Sequence, residues 1–347
     1  MFDQIVGNER VKDTLRRMIA ARRVPGALLF AGEDGVGKKL FALELAKALN
    51  CRSPHVEAEA CDSCSSCVRA ALLDWPARDE TEANKQILWT AHPDIGIVRP
   101  AGRFIKVDQM REVEREANFR PFEGAARIFL IEEADLLHES AANALLKTLE
   151  EPPATSHLIL ITSRPAALLP TVRSRCQIIR FAPLTIVQIE DYLRAQERKL
   201  SDADVHLLAR VVRGSIGRAI KINLDDYRQR RAAMLEVLAS LTTAPDRSRL
   251  LRAAEELTDA KRKDEYEPRL EVLEMLIRDV WQLALGASVE QTVNEDLRRE
   301  LMQISERVTN ARASAWLMRL ETLRSQFLVN INRKVATDAL FLAMAEN

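Results

Sequence analysis

Two short apolar runs in the middle of the chain share one pattern. Ile128–Ile131 and Leu158–Ile161 consist of aliphatic and aromatic residues without a polar interruption. Strands that are buried on both faces of a parallel sheet have this composition. The pair Glu132-Glu133 follows the first run directly, and the pair Thr162-Ser163 follows the second. The pattern therefore predicts an α/β fold in which both strands deliver polar groups to one sheet edge, where such sheets bind ligands.

A helix is predicted between these two strands. Ala141, Leu145 and Leu149 recur at intervals of four residues, which places them on one helical face. Pro152-Pro153 then ends the helix, because proline cannot continue the hydrogen-bond ladder.

A glycine-rich segment near the amino terminus has the context of a phosphate-binding loop. Ala27–Ala31 is strand-like, Gly32–Lys39 forms the loop, and Leu40–Leu49 has helical periodicity. Glycines let backbone amides turn toward an anion, and Lys38 is the residue expected to meet the β- and γ-phosphates. The glycines of this loop are Gly32, Gly35 and Gly37.

Both positions that place magnesium in such loops depart from the usual pattern. Lys39 stands where Ser or Thr normally holds the ion, and a lysine cannot coordinate a cation. Glu132 stands where a shorter aspartate is usual. The sequence leaves three alternatives open: that Glu132 reaches magnesium, that Glu133 polarises water, and that the loop is retained only for the fold. The sequence thus predicts a weak or inactive ATPase and leaves the binding of ATP or ADP open.

The chain changes character after Phe181. Strand-like runs stop, and helical patterns follow to the end, with apolar stripes over Leu273–Ala284 and Trp316–Phe327. We expect three parts: residues 1–182 as the α/β domain, 183–226 as a small helical lid, and 227–347 as a helical bundle. Such stripes usually form the core of a bundle.

Composition narrows the classes of function. The 347 residues are 47% hydrophobic and carry 51 basic and 51 acidic side chains, so the net charge is zero. A protein that grips duplex DNA alone usually has a basic excess, and protein partners are therefore favoured. No leader or long apolar run is present, which favours a cytoplasmic location.

Four of the five cysteines lie close together in the sequence. Cys51, Cys61, Cys64 and Cys67 form a C-x9-C-x2-C-x2-C pattern. In a reducing cytosol such a cluster favours a zinc site over disulfides, and four thiolates leave no position for water, so the zinc is structural. Reduced surface thiols are the alternative. His55 and His92 are further candidate zinc ligands, but four cysteines already complete a tetrahedral site. The charged segment Trp75–Lys85 has no assigned function.

Three short segments of the chain are more specific to one protein family than its hydrophobic and polar patterns are. Asn143–Pro153 reads NALLKTLEEPP, Ser174–Cys176 reads SRC, and Phe2–Asn8 precedes the first amphipathic helix. These segments resemble the clamp-loader subunits of bacterial replicative DNA polymerase, which are AAA+ ATPases. The resemblance implies an AAA+ parallel-sheet domain with an inserted zinc module, a helical lid and an all-α collar through which subunits assemble.

The resemblance also implies roles for two arginines. Arg218, in the segment Gly214–Ala219, matches the second sensor of AAA+ lids, which meets the γ-phosphate; two helix-breaking glycines are the alternative explanation of this segment. Arg175 in the SRC motif matches an arginine finger that acts on a neighbouring subunit's ATP, with Arg173 as a bystander. Alternatively, Arg175 pairs with an acid of its own domain.

The implied function is to help a ring of related chains load the sliding clamp onto primed DNA during replication. The implied partners are the gamma/tau motor and delta subunits, with the clamp and DNA contacted through the assembly. An active gamma/tau-like motor or a branch-migration helicase is the first alternative, and it needs the magnesium ligands that Lys39 and Glu132 replace. A zinc-dependent DNA-binding protein is the second, and it needs basic residues where Glu57, Glu59 and Asp62 lie.

Overall fold

The computed structural model describes residues 1–54, 59–71, 87–196, 200–242, 247–326 and 331–346, without the side chains of 260–262. The chain forms two compact units, Met1–Arg198 with Val212–Ile220, and Lys199–Val211 with Lys221–Asn347. The three-part division at 182 and 226 stays a prediction. His55, Glu57, the segment Trp75–Lys85 and Phe327 lie outside the described residues.

Within the described residues, six strands form one sheet in the order β2-β3-β4-β5-β1-β6. All neighbours are parallel except β2 and β3. The predicted α/β fold with a parallel sheet is confirmed. The strands are β1 (Ala27–Ala31), β2 (Leu88–Trp89), β3 (Ile95–Val98), β4 (Arg127–Ile131), β5 (Ser156–Thr162) and β6 (Gln177–Arg180).

The helices of the described residues are α1 (Glu9–Ala20), α2 (Lys38–Asn50), α3 (Ser65–Ala71), α4 (Val107–Ala117), α5 (Glu139–Glu150), α6 (Pro170–Arg173), α7 (Ile186–Ala195), α8 (Asp202–Val211), α9 (Ile216–Lys221), α10 (Leu224–Thr242), α11 (Arg247–Leu257), α12 (Tyr266–Ala284), α13 (Arg298–Ser305), α14 (Asn310–Ser325) and α15 (Arg333–Ala345). Short 3-10 helices lie at Phe2–Gln4, Ala134–Leu136, Pro165–Ala167, Ala260–Glu265, Val289–Gln291 and Glu295–Leu297.

The central strands are apolar except at their ends, because both faces of the sheet are covered. In β4, Ile128 and Leu130 join a core with Phe41 and Leu45 of α2. The alternate residue Phe129 joins a second core on the other face, with α4 and α5. Since successive side chains of a strand point to opposite faces, a strand between two cores has no solvent-facing position for a polar residue.

The second unit is helical and encloses its own core. The first part of the predicted stripe on α12 is fully buried, at Leu273, Leu276, Ile277 and Val280. Its last two residues, Trp281 and Ala284, are half-buried. Trp316 of α14 is also fully buried, and its indole N–H donates to the carbonyl oxygen of Met344 at 2.9 Å. A buried indole needs such an acceptor, because an unpaired buried donor is costly. None of the helices in the described part of the chain is long and apolar enough to cross a membrane.

The amino-terminal cap of α4 is not the residue that residue type alone favours. Asp108 is a natural candidate for the amino-terminal cap of the helix after residue 105. Instead α4 begins at Val107, Lys106 is the cap residue, and Asp108 lies in the first turn. The side-chain oxygen of Gln109 accepts the backbone N–H of Lys106 at 2.9 Å, so a glutamine reaches back to the cap.

Candidate nucleotide site and metal centre

The glycine-rich loop connects β1 to α2, as predicted. Gly35 and Gly37 have φ of 74° and 98°, and Gly37 is the residue before the first turn of α2. A Cβ on Gly32 would lie 2.6 Å from the carbonyl oxygen of Phe181, and one on Gly35 would lie 2.2 Å from Oγ of Ser215. Gly32 is needed for close packing, Gly37 for its left-handed backbone conformation, and Gly35 for both.

Lys38 is folded against its own loop. Its Nζ donates to the carbonyl oxygens of Gly32 at 2.7 Å and Glu33 at 2.6 Å. The residue is 6% exposed, and burial lowers the pKa of its ammonium group, although the nearby Asp34 and Glu33 oppose that shift. The ammonium therefore lies within the turn whose backbone amides would hold phosphates.

Lys39 and Glu132 form an ion pair at the expected position of magnesium. Nζ of Lys39 lies 2.6 Å from Oε1 of Glu132, and Nε of Arg99 lies 3.2 Å from Oε2 of the same carboxylate. Burial lowers the pKa of Lys39, and the charge of Glu132 opposes this shift. Magnesium requires oxygen ligands in near-octahedral geometry, and the ammonium group offers none. These residues do not fit a magnesium ion.

Glu133 and Ser163, the two other candidate residues at the sheet edge, have different surroundings. Glu133 has φ of 50° and begins the turn into Ala134–Leu136. Ser163 is exposed, whereas Thr162 beside it is buried and donates its hydroxyl to Asp135 at 2.6 Å. Asp135 also accepts from Nε and Nη2 of Arg164 at 2.9 and 2.7 Å. Thr162 and Asp135 thus fix the loop after β5 to the acidic turn after β4.

The segment before α9 packs directly on the glycine-rich loop. The backbone N–H of Gly217 donates to the carbonyl oxygen of Gly35 at 2.9 Å, and the N–H of Arg218 donates to Oγ of Ser215 at 3.1 Å. A Cβ on Gly217 would lie 2.7 Å from Cα of Gly35. The glycines therefore permit a backbone contact as well as a helix break. Arg218 lies next to this contact with an exposed side chain.

Arg175 lies on the loop between α6 and β6. Its Nε is 3.3 Å from Oε2 of Glu150, the last residue of α5, and its Nη1 donates to the carbonyl oxygen of Thr171 at 3.2 Å. The side chains of Arg175 and Glu150 are 32% and 60% exposed. Arg173 donates to the carbonyl oxygen of Pro165 at 3.4 Å. Cys176 is buried, which raises the pKa of its thiol to about 12.

The four clustered cysteines converge in space. The Sγ atoms of Cys51, Cys61, Cys64 and Cys67 all lie within 4.8 Å of one another, and those of Cys61 and Cys67 are 4.0 Å apart. Four sulfurs that each bind zinc at about 2.3 Å must approach one another this closely. The donor set therefore fits a tetrahedral zinc ion.

Backbone amides already stabilise part of this cluster. The N–H of Cys64 points to Sγ of Cys61 at 3.2 Å, and the N–H of Cys61 points to Sγ of Cys51 at 3.4 Å. Hydrogen bonds from Ser63 and from the Cys64 backbone lower the pKa of Cys61 to about 5. Burial raises the pKa of Cys67. Since zinc binds thiolates, Cys61 is prepared for the metal, whereas Cys51 and Cys67, whose pKa values burial raises, must lose their protons on binding.

His92 connects the cysteine module to the sheet and lies outside the ligand set. Its Nε2 is 3.0 Å from Oγ of Ser66 and 3.4 Å from Oε1 of Glu123, and its Nδ1 accepts the N–H of Asp94 at 3.2 Å. Both ring nitrogens are therefore engaged by protein groups.

Asp94 makes the neighbouring turn rigid. Its buried carboxylate accepts three backbone N–H groups, from Phe122 at 2.6 Å, Glu123 at 2.9 Å and Gly124 at 2.8 Å. The segment His92-Pro93-Asp94 thus anchors the inserted module to the sheet.

The acidic residues around the cysteines pair within the protein. Asp62 forms an ion pair with Lys47 and one with the amino group of Met1, and Glu59 is buried and bonded to Arg16. These contacts use the acidic groups to support the module.

Sequence reasoning missed two participants in the site, Arg99 and Asp135. Neither belongs to a motif, because each is defined by a partner that is distant in the sequence. A signal was available for Arg99, since it directly follows β3 at the carboxyl edge of the sheet. Thr162 was predicted at this edge, and its hydroxyl donates to Asp135.

The chain is similar to known proteins over almost its whole length. The family model described as DNA polymerase III, delta subunit, matches residues 7–77 and 73–185, and that described as DNA polymerase III, delta subunit, C terminal, matches residues 226–344. The chain is 28% identical over 338 residues to DNA polymerase III subunit delta' of Bacillus subtilis (strain 168), covering 97% of this chain and 96% of that protein.

Two further relatives come from Escherichia coli (strain K12). The chain is 29% identical over 321 residues to DNA polymerase III subunit delta', covering 91% of this chain and 87% of that protein. It is 32% identical over 225 residues to DNA polymerase III subunit tau, covering 64% of this chain and 32% of that protein.

Proposed function

The chain belongs to the DNA polymerase III delta-subunit family, and we propose that it serves as the delta-prime subunit of the clamp loader. Matches to delta-prime relatives over 97% and 91% of the chain support this role. In it, the subunit assists the ATP-driven loading of the sliding clamp onto primed DNA during replication, in the cytoplasm.

The observation that carries the proposal is the ion pair between Lys39 and Glu132 at 2.6 Å. A gamma/tau-like motor needs magnesium between the loop and the acidic turn, because the metal neutralises charge on the transferred phosphoryl group. An ammonium group held at that place supports the interpretation that this subunit does not hydrolyse ATP itself. The tau relative, which covers 64% of the chain, matches a smaller part of it than the delta-prime relatives do.

Arg175 then supplies the chemistry of this subunit at a neighbour's ATP site. A guanidinium is permanently charged and can fork to two phosphoryl oxygens. The loop after α6 carries it at the surface, and its ion pair with Glu150 is solvent-exposed. Exposed pairs of this kind contribute about 0–1 kcal/mol, so a phosphate can displace the carboxylate at small cost.

Zinc holds the inserted module through Cys51, Cys61, Cys64 and Cys67. When bound, the ion supplies structural cross-linking, and four thiolates leave it no open position for catalysis. The helical second unit and the α/β unit provide the surfaces for the gamma/tau motor and delta subunits, while the clamp and DNA are contacted through the assembly.

Reconstitution tests the role directly. The full chain is mixed with the gamma/tau and delta subunits of the same organism, and the mass of the product is measured on the intact complex. We expect a single stoichiometric hetero-oligomer that contains this chain and that loads clamps in the presence of ATP. Recovery of this chain only as a monomer, with all partners present and folded, would contradict the proposal.

A further inference from the structure

Three side chains from separate parts of the sheet edge form one cluster, here called the resident-cation cluster: Lys39, Glu132 and Arg99. Lys39 comes from the first turn of α2, Glu132 follows β4, and Arg99 follows β3. The backbone N–H of Glu132 donates to the carbonyl oxygen of Val98 at 3.0 Å, which aligns the two strand ends. The carboxylate is 16% exposed and faces a cation at each oxygen.

The cluster keeps a positive charge at the place where a metal-loaded site has one. Lys39 and Arg99 together with Glu132 leave one net positive charge. With a hydroxyl residue at position 39, a magnesium ion beside the same arginine and one carboxylate would leave two net positive charges. Replacing the hydroxyl and the metal by a lysine therefore lowers the local charge by one but leaves it positive, while removing the ion that a hydrolysing site must position.

We propose that Lys39, held by Glu132 and supported by Arg99, acts as a built-in cation that lets the loop Gly32–Lys38 bind a nucleoside diphosphate without a divalent metal. This inference takes from the proposed function only that the loop is a phosphate site. Lys38 supplies the second ammonium by exchanging the carbonyl oxygens of Gly32 and Glu33 for phosphate oxygens. The exchange is favourable because charge-assisted hydrogen bonds to phosphate are stronger than those to neutral carbonyls.

The wild-type chain alone tests this inference. ADP is titrated into the full-length, zinc-loaded protein by calorimetry, once with magnesium chloride and once with enough EDTA to chelate free magnesium. The zinc content of the protein is measured after the EDTA titration to verify that zinc is retained. We expect dissociation constants that agree within about twofold, since the cation is part of the chain. ADP binding that is about tenfold tighter with magnesium overturns the proposal, and so does the absence of ADP binding in both buffers.

A matched pair of variants identifies the cation. Lys39→Met removes the ammonium group and keeps the length of the side chain, whereas Lys106→Met removes an exposed lysine elsewhere in the same unit. In EDTA we expect Lys39→Met to weaken ADP binding by about tenfold or more and Lys106→Met to leave it unchanged. Equal affinities for Lys39→Met and the wild type overturn the assignment.

The double variant Lys39→Thr, Glu132→Asp gives the converse test. It restores the hydroxyl and the shorter acid, so ADP binding should now require magnesium, and Mn²⁺ should give a bound-ion signal by electron paramagnetic resonance that the wild type lacks. The same Mn²⁺ signal in the wild type contradicts the proposal. Because clamp-loader assembly is measured separately, normal assembly without ADP binding overturns this inference and leaves the proposed function standing.

Discussion

Nε of Arg175 lies 3.3 Å from Oε2 of Glu150, so the SRC arginine is paired within its own domain. The acid belongs to the end of α5, in the same NALLKTLEEPP segment that carries the family resemblance. Both side chains are partly exposed, and water screens their attraction. In the proposed role, Glu150 is the resting partner of Arg175, and a more highly charged phosphate replaces it.

Neutralising Glu150 should therefore change little in the reconstituted loader. We expect Glu150→Gln to alter the free energy of unfolding by less than about 1 kcal/mol, because the pair is exposed. The ATPase rate of the loader should stay within about twofold of wild type, as it should for the adjacent control Glu151→Gln. A loss of about tenfold in the Glu150→Gln loader alone would show that the carboxylate positions the arginine for catalysis.

The zinc prediction rests on the convergence of four sulfurs. The purified chain should contain one zinc ion, and Cys64→Ser should lower the zinc content. The same substitution should loosen residues 59–71 more than β4 and β5, because the energy of metal binding is folding energy for a local module. Elemental analysis and hydrogen exchange measure the two effects. Cys176→Ser is the control and should retain zinc, because Cys176 lies outside the cluster. Wild-type protein that lacks zinc after mild chelation and has four titratable thiols would contradict the assignment.

The contact between the loop and α9 can be tested with two glycines of similar conformation. Gly35 and Gly102 have φ of 74° and 78°, but only Gly35 is crowded, by Ser215 and Gly217. Alanine at either site carries the strain of a left-handed residue, about 1–2 kcal/mol. We expect Gly35→Ala to destabilise the first unit by about 1–3 kcal/mol more than Gly102→Ala in urea unfolding, because the new methyl group has no space. Equal destabilisation would mean that the loop does not pack against the segment before α9.

Much of the α/β unit could be predicted from local sequence. The strand at 128–131 and the loop at Gly32–Lys38 are encoded by runs of neighbouring residues, and the cysteine spacing needs no tertiary information. The ion pair of Lys39 was beyond this reasoning, since its partner lies ninety-three positions away in the sequence and the two are brought together only by the sheet. The sequence showed that Lys39 replaces a magnesium ligand, but not that its ammonium group pairs with Glu132.

The cap of α4 also depends on tertiary contacts. Asp108 has the residue type that caps helices most often, and propensity alone favours it. The bridge from Ala101 to Phe104 and the hydrogen bond of Ile105 to Leu136 fix where the chain turns, so the helix begins at Val107. Tertiary contacts decided the position of that boundary.

The isolated chain should show no ATP turnover above that of Lys38→Ala. The reason is the ion pair of Lys39 and Glu132, which places an ammonium group where magnesium would need an oxygen ligand. Combining Lys39→Thr with Glu132→Asp should produce measurable magnesium-dependent phosphate release. Robust magnesium-dependent hydrolysis by the pure wild-type chain would show that the ion pair does not displace the metal.

The central claim is that this subunit acts on a neighbour's ATP through Arg175, and the ATPase rate of a reconstituted loader carrying Arg175→Ala tests it most directly. The matched control is Arg173→Ala, which removes an arginine of the same short helix and loop. We expect the Arg175→Ala subunit to fold and assemble, with the ATPase and clamp-loading rates lowered by about tenfold or more, as removal of arginines acting in trans commonly does. The Arg173→Ala loader should keep rates close to those of the wild type. An Arg175→Ala loader that assembles and loads clamps at the wild-type rate would contradict the account.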